Sequence, residues 1–386
     1  MAVSYDSYGN KIGIGNPSRR FTQSRKRLCI AITGVIVLGI IGLTVAGIFI
    51  FGKKSNNGSA INNNTTTVTT TRPPHVTTAS IETSSTSTNR PTGSGFLCDL
   101  STWNENGVII AEELYGPRDL FIDGEYVYIS ETLNNRLMRY HLGSSEKQVI
   151  LSDVTVHAIA LNKEEQTIYF SQESANKESI NRIAKDGQGE AAEVVSSDYI
   201  EIIYSLVAMN ESLYICDRNR HRVILWSTIK QNFTIIAGGN GIGSGLSELR
   251  APEGIFVDAN GDTYVADTLN HRIQLWKNGA LEGITVAGNE DSIPGQDLNE
   301  LHRPKAIFVH GETMFIADSY NHRIVKWKIG DSRGSVIVGS NSTGSGNGLN
   351  QLNNPTSLKL DSNGNLYVVD SGNGRVQKYI VDNSLC

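Results

Sequence analysis

YVADTLNHR at residues 264–272 returns as FIADSYNHR at 315–323 and as YVVDSGNGR at 367–375, and this repeat decides the fold. Two earlier copies, YICD at 214–217 and YISE at 128–131, keep the arginine that stands five places after the acid. A sixth copy, YFSQ at 169–172, is degenerate, and an insertion separates it from its expected arginine, Arg182. In the five better copies an aromatic residue follows the acid by nine places: Tyr140, Trp226, Trp276, Trp327 and Tyr379. The anchor positions 131, 172, 217, 267, 318 and 370 lie 41 to 52 residues apart, which is typical of β-propeller blades.

Each period contains four short strand patterns. In the fourth repeat they cover residues 255–258, 263–267, 272–276 and 284–287, and Asn260-Gly261 predicts a hairpin turn between the first two. The patterns are nearly continuous apolar runs, as expected for sheets that pack against neighbours on both faces. The acid and the arginine bracket a tight turn, in which we expect the acid to bond local backbone N–H groups.

The two ends of the repeat region predict how the ring closes. The sixth repeat has three strands and then the chain ends, while an unassigned strand, Val108–Ala111, precedes the first repeat and resembles the fourth strands of other repeats. It should therefore complete the last blade, which removes two free sheet edges. The sequence predicts an all-β, six-bladed propeller over residues 97–386.

The four cysteines are Cys29, Cys98, Cys216 and Cys386, and no CxxC pair exists, which excludes a zinc finger or a RING domain. Closure of the ring brings Cys98 near Cys386, so we predict a disulfide between them in an oxidising compartment. The alternative is a pair of free thiols at frayed ends.

Residues 28–51 form an apolar run without a charged residue, long enough for a transmembrane helix. A cleaved signal peptide is the alternative, although its apolar core would be shorter and nearer the N-terminus. Six cations precede the run (Lys11, Arg19, Arg20, Arg25, Lys26 and Arg27) and only Lys53 and Lys54 closely follow it. This bias predicts a cytoplasmic tail at residues 1–27 and a single-pass membrane protein whose propeller is extracellular or lumenal.

Residues 52–96 are dominated by Ser, Thr and Asn, with too few apolar residues for a core, and predict a disordered, O-glycosylated stalk. N-glycosylation sequons begin at six asparagines: Asn57, Asn63, Asn64, Asn210, Asn232 and Asn341. Their position on the predicted outer side agrees with the charge bias.

The repeats resemble the NHL family, whose motif is a YVAD-like strand followed by an Asn-His-Arg turn. The resemblance covers about residues 107–382; it is strong for repeats three to six, fair for the first and poor for the second. Such propellers occur in tripartite-motif ubiquitin ligases, bacterial receptor-kinase sensors, teneurins and the peptidyl-hydroxyglycine amidating lyase. The missing RING and B-box cysteines exclude the ligase, and the net charge of −5 argues against nucleic-acid binding. Anchor, stalk and propeller resemble a receptor.

Residues just before each innermost strand should ring the mouth of the channel: Arg118, His157, Tyr204, Glu253, Lys305 and Thr356. A proline precedes four of them. The resemblance to the amidating lyase implies a zinc held there by three histidines and assisted by an arginine and a tyrosine. This ring has only one histidine, and Thr356 is a poor ligand, so we expect no metal, no cofactor and no catalytic residue. A ligand-binding rim is favoured; the alternatives are a polar rim around a water-filled channel and a metal-dependent, lyase-like enzyme.

Three further patterns bear on function. His221, His271 and His322 share one repeat position on separate blades, which predicts a structural role. Residues 258–262 and 361–365 resemble calcium loops but fall where hairpin turns are required. The connectors 239–251, 289–303 and 340–354 are long, which favours recognition of an extracellular protein, peptide or glycan on the mouth face; neutral drift in loop length is the alternative.

Overall fold

The computed structural model describes residues 97–98, 100–175, 177–339, 344–384 and 386, together with β1 (Ser4–Tyr5) and β2 (Lys11–Ile12). The propeller lies in the second of two compact units, Ser87–Cys386, and the antiparallel β1–β2 pair in the first, Met1–Thr86. The predicted membrane segment and stalk, and the sequons at Asn57, Asn63, Asn64 and Asn341, lie outside the described residues. Among the residues that are described, no helix has the length and apolarity to cross a membrane.

Six four-stranded antiparallel sheets follow the repeats in order, which confirms the predicted fold class. Two short strands precede them: β3 (Thr102–Trp103) and β4 (Val108–Ala111). The first three blades comprise β5 (Pro117–Asp123), β6 (Tyr126–Glu131), β7 (Arg136–His141) and β8 (Lys147–Ser152); β9 (Ile159–Asn162), β10 (Thr167–Ser174), β11 (Lys177–Ala184) and β12 (Ala192–Val195); and β13 (Ile203–Met209), β14 (Ser212–Asp217), β15 (Arg222–Ser227) and β16 (Asn232–Gly238).

The other three blades comprise β17 (Gly254–Val257), β18 (Thr263–Asp267), β19 (Arg272–Trp276) and β20 (Ile284–Gly288); β21 (Pro304–His310), β22 (Thr313–Asp318), β23 (Arg323–Lys328) and β24 (Ser335–Gly339); and β25 (Ser357–Leu360), β26 (Leu366–Asp370) and β27 (Arg375–Tyr379). A last short strand is β28 (Val381–Asp382). Each innermost strand contacts the next around a closed ring. We call the face where the innermost strands begin the mouth face and the opposite one the hairpin face.

Ring closure follows the prediction. Strand β4 pairs with β27 and completes the sixth blade, with Ala111 opposite Val376 and Ile109 opposite Gln377. Just before it, β3 pairs with β28, and Cys98 and Cys386 form a disulfide. Trp103 donates its indole N–H to the Gly364 carbonyl at a hairpin turn, so this closure lies on the hairpin face.

The core lies between the blades. Ile273 and Leu275 of the fourth blade pack with Ile307 and Met314 of the fifth in one apolar cluster. Strand β18 is buried along its whole length, whereas the outermost strand β20 is mostly accessible. Burial of one such aliphatic side chain stabilises the fold by roughly 1.5–3 kcal/mol. Because each sheet packs against a neighbouring blade on both faces, successive residues of its inner strands are all buried, which explains the continuous apolar runs.

The repeat acid bonds a backbone N–H of the incoming connector, which corrects the prediction that it bonds backbone N–H groups of its own turn. Asp267 accepts the Arg250 backbone N–H at 2.7 Å through one carboxylate oxygen. Its other oxygen accepts bonds from Asn270 and Arg272, and both ions of the Asp267–Arg272 pair are buried. The short 3-10 turn, Thr268–Asn270, closes through its own Thr268 carbonyl instead. The carboxylate is therefore left to face the connector.

The described parts of the long connectors share one pattern of hydrogen bonds. In the first, Asn270 donates to the Gly243 carbonyl and Arg272 to the Gly245 carbonyl, while the Leu246 carbonyl accepts the Gly283 N–H at the start of the outermost strand. The other two connectors repeat this, since Asn321 holds Gly295 and Asn373 holds Gly346. Each connector thus descends from the mouth face along the outer half of its blade. We call each of these bonded connectors a wedge. Because the wedges are bonded along the outer halves of the blades, the residues at the mouth itself are the better candidates for recognition.

The repeated histidines have a structural role, as the sequence indicates. His221, His271 and His322 adopt left-handed backbone angles with φ of 52°, 57° and 54°. In each case Nδ1 accepts a backbone N–H at the entry to the next blade; for His271 the donor is Arg303, at 3.1 Å. Each imidazole must therefore be neutral to keep this bond.

We expect His271 to make the fold acid-sensitive. Burial, followed by His302 and the nearby arginines, lowers the pKa of His271 to about 4. The unfolded chain binds the proton near pH 6.5 and the folded chain only near 4, so the free energy of unfolding should fall as the pH drops through this window. Solvent screening limits the loss to about 1 kcal/mol. The test variant is His271→Asn, since the first blade carries an asparagine, Asn135, at this repeat position. Between pH 6.5 and 4.5, its free energy of unfolding, measured with denaturant, should fall less than that of wild type. Equal decreases in the two proteins would contradict the prediction.

The second blade departs from the repeat. Strands β10 and β11 continue past the expected turn, so Ser179 pairs with Gln172, the residue at the position of the acid. Arg182 instead pairs with Tyr169 in mid-strand, and the prediction that it is the repeat arginine is wrong. The inserted residues extend the two strands of the hairpin and do not enlarge the turn. The extension places Glu173 and Glu178 beyond the point at which the other blades end on the mouth face.

The calcium-like loops are hairpin turns. One Asp258 carboxylate oxygen accepts the backbone N–H groups of Asn260 and Asp262, and Asp361 does the same for Asn363 and Asn365. These side chains are thus used in turn formation. Of the described sequons, Asn210 and Asn232 are exposed.

Candidate ligand-binding site at the channel mouth

The six predicted rim residues stand at the entries to the innermost strands, and most of them contact one another. Thr356 donates to the Arg118 carbonyl at 2.8 Å, which joins the last blade to the first. The Arg118 guanidinium lies 3.2 Å from the centre of the Tyr204 ring, and His157 packs edge-on against the same ring at 5.2 Å. The rim is therefore a cluster of side chains that contact one another across the mouth.

Arg118 is the residue that crosses the mouth. Its Nη2 lies 3.1 Å from Glu253 Oε2, and Glu253 belongs to the fourth blade, opposite the first. With one face on Tyr204, the guanidinium is held as a flat plate. Its Nε is buried and has no hydrogen-bond partner among the described residues.

Arg218 adds a second guanidinium that sequence reasoning missed. Its Nε lies 3.4 Å from Glu253 Oε1, and its guanidinium is 5.4 Å from the Tyr204 ring centre. Four other blades carry a hydroxyl residue at this repeat position: Thr132, Thr268, Ser319 and Ser371. Thr268 uses that hydroxyl to bond the Pro304 carbonyl of the next blade. An arginine in place of a structural hydroxyl was the signal that could have identified the site.

Electrostatics at the mouth centre on Glu253. Burial would raise the pKa of Glu253, but Lys305, Arg118 and Arg218 outweigh it and hold that pKa below its usual value. Burial lowers the pKa of Lys305, and the neighbouring arginines lower it further, against the opposing effect of Glu253. The Lys305 ammonium donates to the neutral Asn354 amide oxygen at 3.2 Å. One carboxylate is thus shared by three cations.

His157 is bound by carboxylates of its own blade. Its Nδ1 lies 3.0 Å from Glu178 Oε1, and its Nε2 lies 3.8 Å from Glu173 Oε2. Glu178 is buried and also accepts the Ile203 backbone N–H at 2.6 Å. Sequence reasoning missed both glutamates because they lie in the insertion that obscured the second repeat.

A second layer lies below the rim. Asp119 accepts the Ser357 hydroxyl at 2.8 Å and the Ile159 backbone N–H at 3.0 Å. Burial raises the pKa of Asp119, while Lys359 acts in the opposite direction. The narrow cavity at this level is lined by residues of both layers, including Tyr204, Ser205, Glu253, Lys305 and Thr356. Only a small group could enter it from the mouth.

The donor set does not fit a catalytic zinc. In the described part of the chain, no three His, Cys, Asp or Glu side chains are grouped so that they could hold a metal ion. His157 is the one histidine of the rim, and both its ring nitrogens face glutamates. Catalytic zinc sites use three protein ligands, so no chemical step can be derived through such a metal here.

Residues 352–379, in the sixth blade, match the family model described as NHL repeat. The chain is 31% identical over 145 residues to the peptidyl-glycine alpha-amidating monooxygenase of Mus musculus, which covers 36% of this chain and 14% of the relative. It is 30% identical over 138 residues to a probable peptidyl-alpha-hydroxyglycine alpha-amidating lyase of Caenorhabditis elegans, which covers 35% and 38%. The chain therefore spans well under half the length of either relative.

Solved structures show the same fold at low identity. A protein of unknown function from Bacteroides thetaiotaomicron superposes with a TM-score of 0.59 at 15% identity, covering 72% of this chain and 73% of that one. A gluconolactonase from Xanthomonas campestris superposes with a TM-score of 0.52 at 13% identity, covering 72% and 89%. These likenesses establish the fold alone. The chain thus carries a six-bladed β-propeller whose sixth blade matches the NHL repeat.

Proposed function

We propose that this protein is a membrane-anchored binding module without catalytic activity, which recognises an extracellular partner through the mouth face of its propeller. The observation that carries the proposal is the charged mouth, where Arg118, Arg218 and Lys305 surround Glu253 over the Tyr204 ring. Partly desolvated charges and an aromatic ring at a concave surface are the usual anchors of a recognition site.

Sequence features support the location. The apolar run at 28–51 and its basic N-terminal flank favour an anchor with residues 1–27 in the cytosol. The Cys98–Cys386 disulfide and the exposed sequons at Asn210 and Asn232 suit an oxidising, glycosylating compartment. The described domain also begins at the hairpin face, which leaves the mouth face clear of the point where the chain enters it.

The second candidate is a zinc-dependent lyase, favoured by the 30% identity to the lyase-type relative over 138 residues. The donor set described above counts against it. Stoichiometric zinc in the purified chain, lost on His157→Ala, would make this candidate the better one.

The test is partner labelling around the full chain displayed on cells. We expect a reproducible set of extracellular proteins with wild type, and loss of that set in Arg118→Gln/Lys305→Gln. The matched control is Lys230→Gln/Lys277→Gln, which removes two cations from exposed turns of the hairpin face and should leave the set unchanged. Identical sets for all three chains would show that the mouth is not the site. No labelling above that of an unrelated anchored protein would refute the binding module.

A further inference from the structure

The geometry of the mouth points to the chemistry of its ligand: we propose that it binds a small oxyanion, a carboxylate or a phosphate group, between Arg118, Arg218 and Lys305. This inference names the ligand class for the site described above and rests on the proposed function only for the biological source of that group. The oxyanion would approach the guanidinium edges from the mouth face, above Tyr204.

Local charge balance is the first support. Three cations, Arg118, Arg218 and Lys305, surround Glu253, and Glu253 forms ion pairs with both arginines, in a chain whose net charge is −5. The nearby carboxylates are engaged elsewhere: Glu178 bonds His157 and the Ile203 N–H, and Glu201 pairs with Arg220 at 3.4 Å. Asp119, in the layer below the rim, bonds the Ser357 hydroxyl and the Ile159 N–H, so the three cations outnumber the one carboxylate that lies among them at the mouth.

The donors are the second support. Tyr204 covers one face of the Arg118 guanidinium, so its N–H groups are offered in the plane of the plate, and the buried Nε has no partner among the described residues. Lys305 bonds a neutral amide rather than Glu253. Planar guanidinium edges beside an ammonium are the donors that recognise carboxylate and phosphate oxygens.

Electrostatic repulsion among these cations is the third support for an oxyanion ligand. Burial and the neighbouring arginines oppose the charge on Lys305, which Glu253 favours. A bound oxyanion would relieve this repulsion, whereas a cationic ligand attracted by Glu253 would increase it. The mouth is therefore selective for negative over positive groups.

The test uses two substitutions that restore residues of the repeat. Arg218→Thr introduces the hydroxyl residue that four other blades carry, and Arg220→Asn introduces the residue found at Asn270, Asn321 and Asn373. Both remove one positive charge, two positions apart, and both should fold. Arg220 is the matched control because it bonds the Tyr199 carbonyl and Glu201 and is not among the groups that contact Glu253 or Tyr204.

Malonate and inorganic phosphate are titrated onto the full chain in detergent micelles, by calorimetry, against chloride at the same ionic strength. We expect saturable binding to wild type, affinity within about twofold in Arg220→Asn, and at least tenfold weaker binding in Arg218→Thr, a loss of about 1.4 kcal/mol. Tighter malonate indicates a carboxylate ligand, and tighter phosphate indicates a phosphorylated one. Circular dichroism confirms folding, and Lys305→Gln provides a second weakened variant.

Two outcomes would overturn the inference: no binding to wild type beyond that of chloride, or equal weakening in both variants, which would indicate only general charge. Failure here is separable from failure of the proposed function. Partners lost on mouth substitution without oxyanion binding would leave the module intact and reject the ligand class. Oxyanion binding without any partner would do the reverse.

Discussion

Replacing Asp267 by alanine is expected to lower the free energy of unfolding by about 3–5 kcal/mol, because it leaves a buried arginine without its counter-ion. Asp267 accepts bonds from Arg272, Asn270 and the Arg250 backbone N–H, and Arg272 is 1% exposed. The substitution therefore orphans three donors at once. Chemical denaturation of the purified chain measures the change.

The control lies in the same blade. Lys277 pairs with Asp262 at 2.7 Å, but its side chain is 60% exposed, and Lys277→Ala should cost well under 1 kcal/mol. Similar small effects in both variants would mean that the repeat pair does not hold the blade, and that packing alone does.

Removal of the disulfide should have the second largest effect. Cys98 and Cys386 are separated by 288 residues, so the bond restricts the unfolded chain strongly. The double variant Cys98→Ser/Cys386→Ser should lose about 2–5 kcal/mol, and amide exchange should accelerate in β4 and β27, where the ring closes. A reductant should reproduce the loss in wild type and leave the double variant unchanged. Insensitivity of wild type to reductant would contradict the prediction.

Features that recur along the chain could be predicted from the sequence. Strands β18 and β19 have the predicted bounds, and β4 completes the sixth blade, because strand alternation and closure depend on local pattern and repeat count. The degenerate second repeat misled the assignment of Arg182, since an insertion can lengthen a hairpin or a turn without changing the local composition.

The site was only partly accessible to sequence reasoning. Position before the innermost strands identified Arg118 and Glu253, but nothing in the spacing revealed that they meet across the channel. Arg218 reaches the same carboxylate from a turn of another blade, and Glu178 reaches His157 from an insertion. Such contacts depend on how far a side chain extends within the closed ring, and residue spacing in the sequence does not give that distance.

The three wedges give the ring an uneven stiffness. They brace the outer halves of blades four to six, where Asn270, Asn321 and Asn373 fasten each connector by its carbonyl oxygens. Blade three is entered by a shorter segment, which Arg220 and Arg222 fasten through the Tyr199 carbonyl. Among the described residues, the entries to blades one and two are short and show no comparable bond from this repeat position to a connector carbonyl. Thermal motion of the ring should therefore concentrate in blades one and two, which carry Arg118 and His157, and should be smaller in blades three to six, which carry Tyr204, Arg218, Glu253 and Lys305. The mouth would then have one rigid side and one more mobile side, and the mobile side could adjust to a ligand that binds between them.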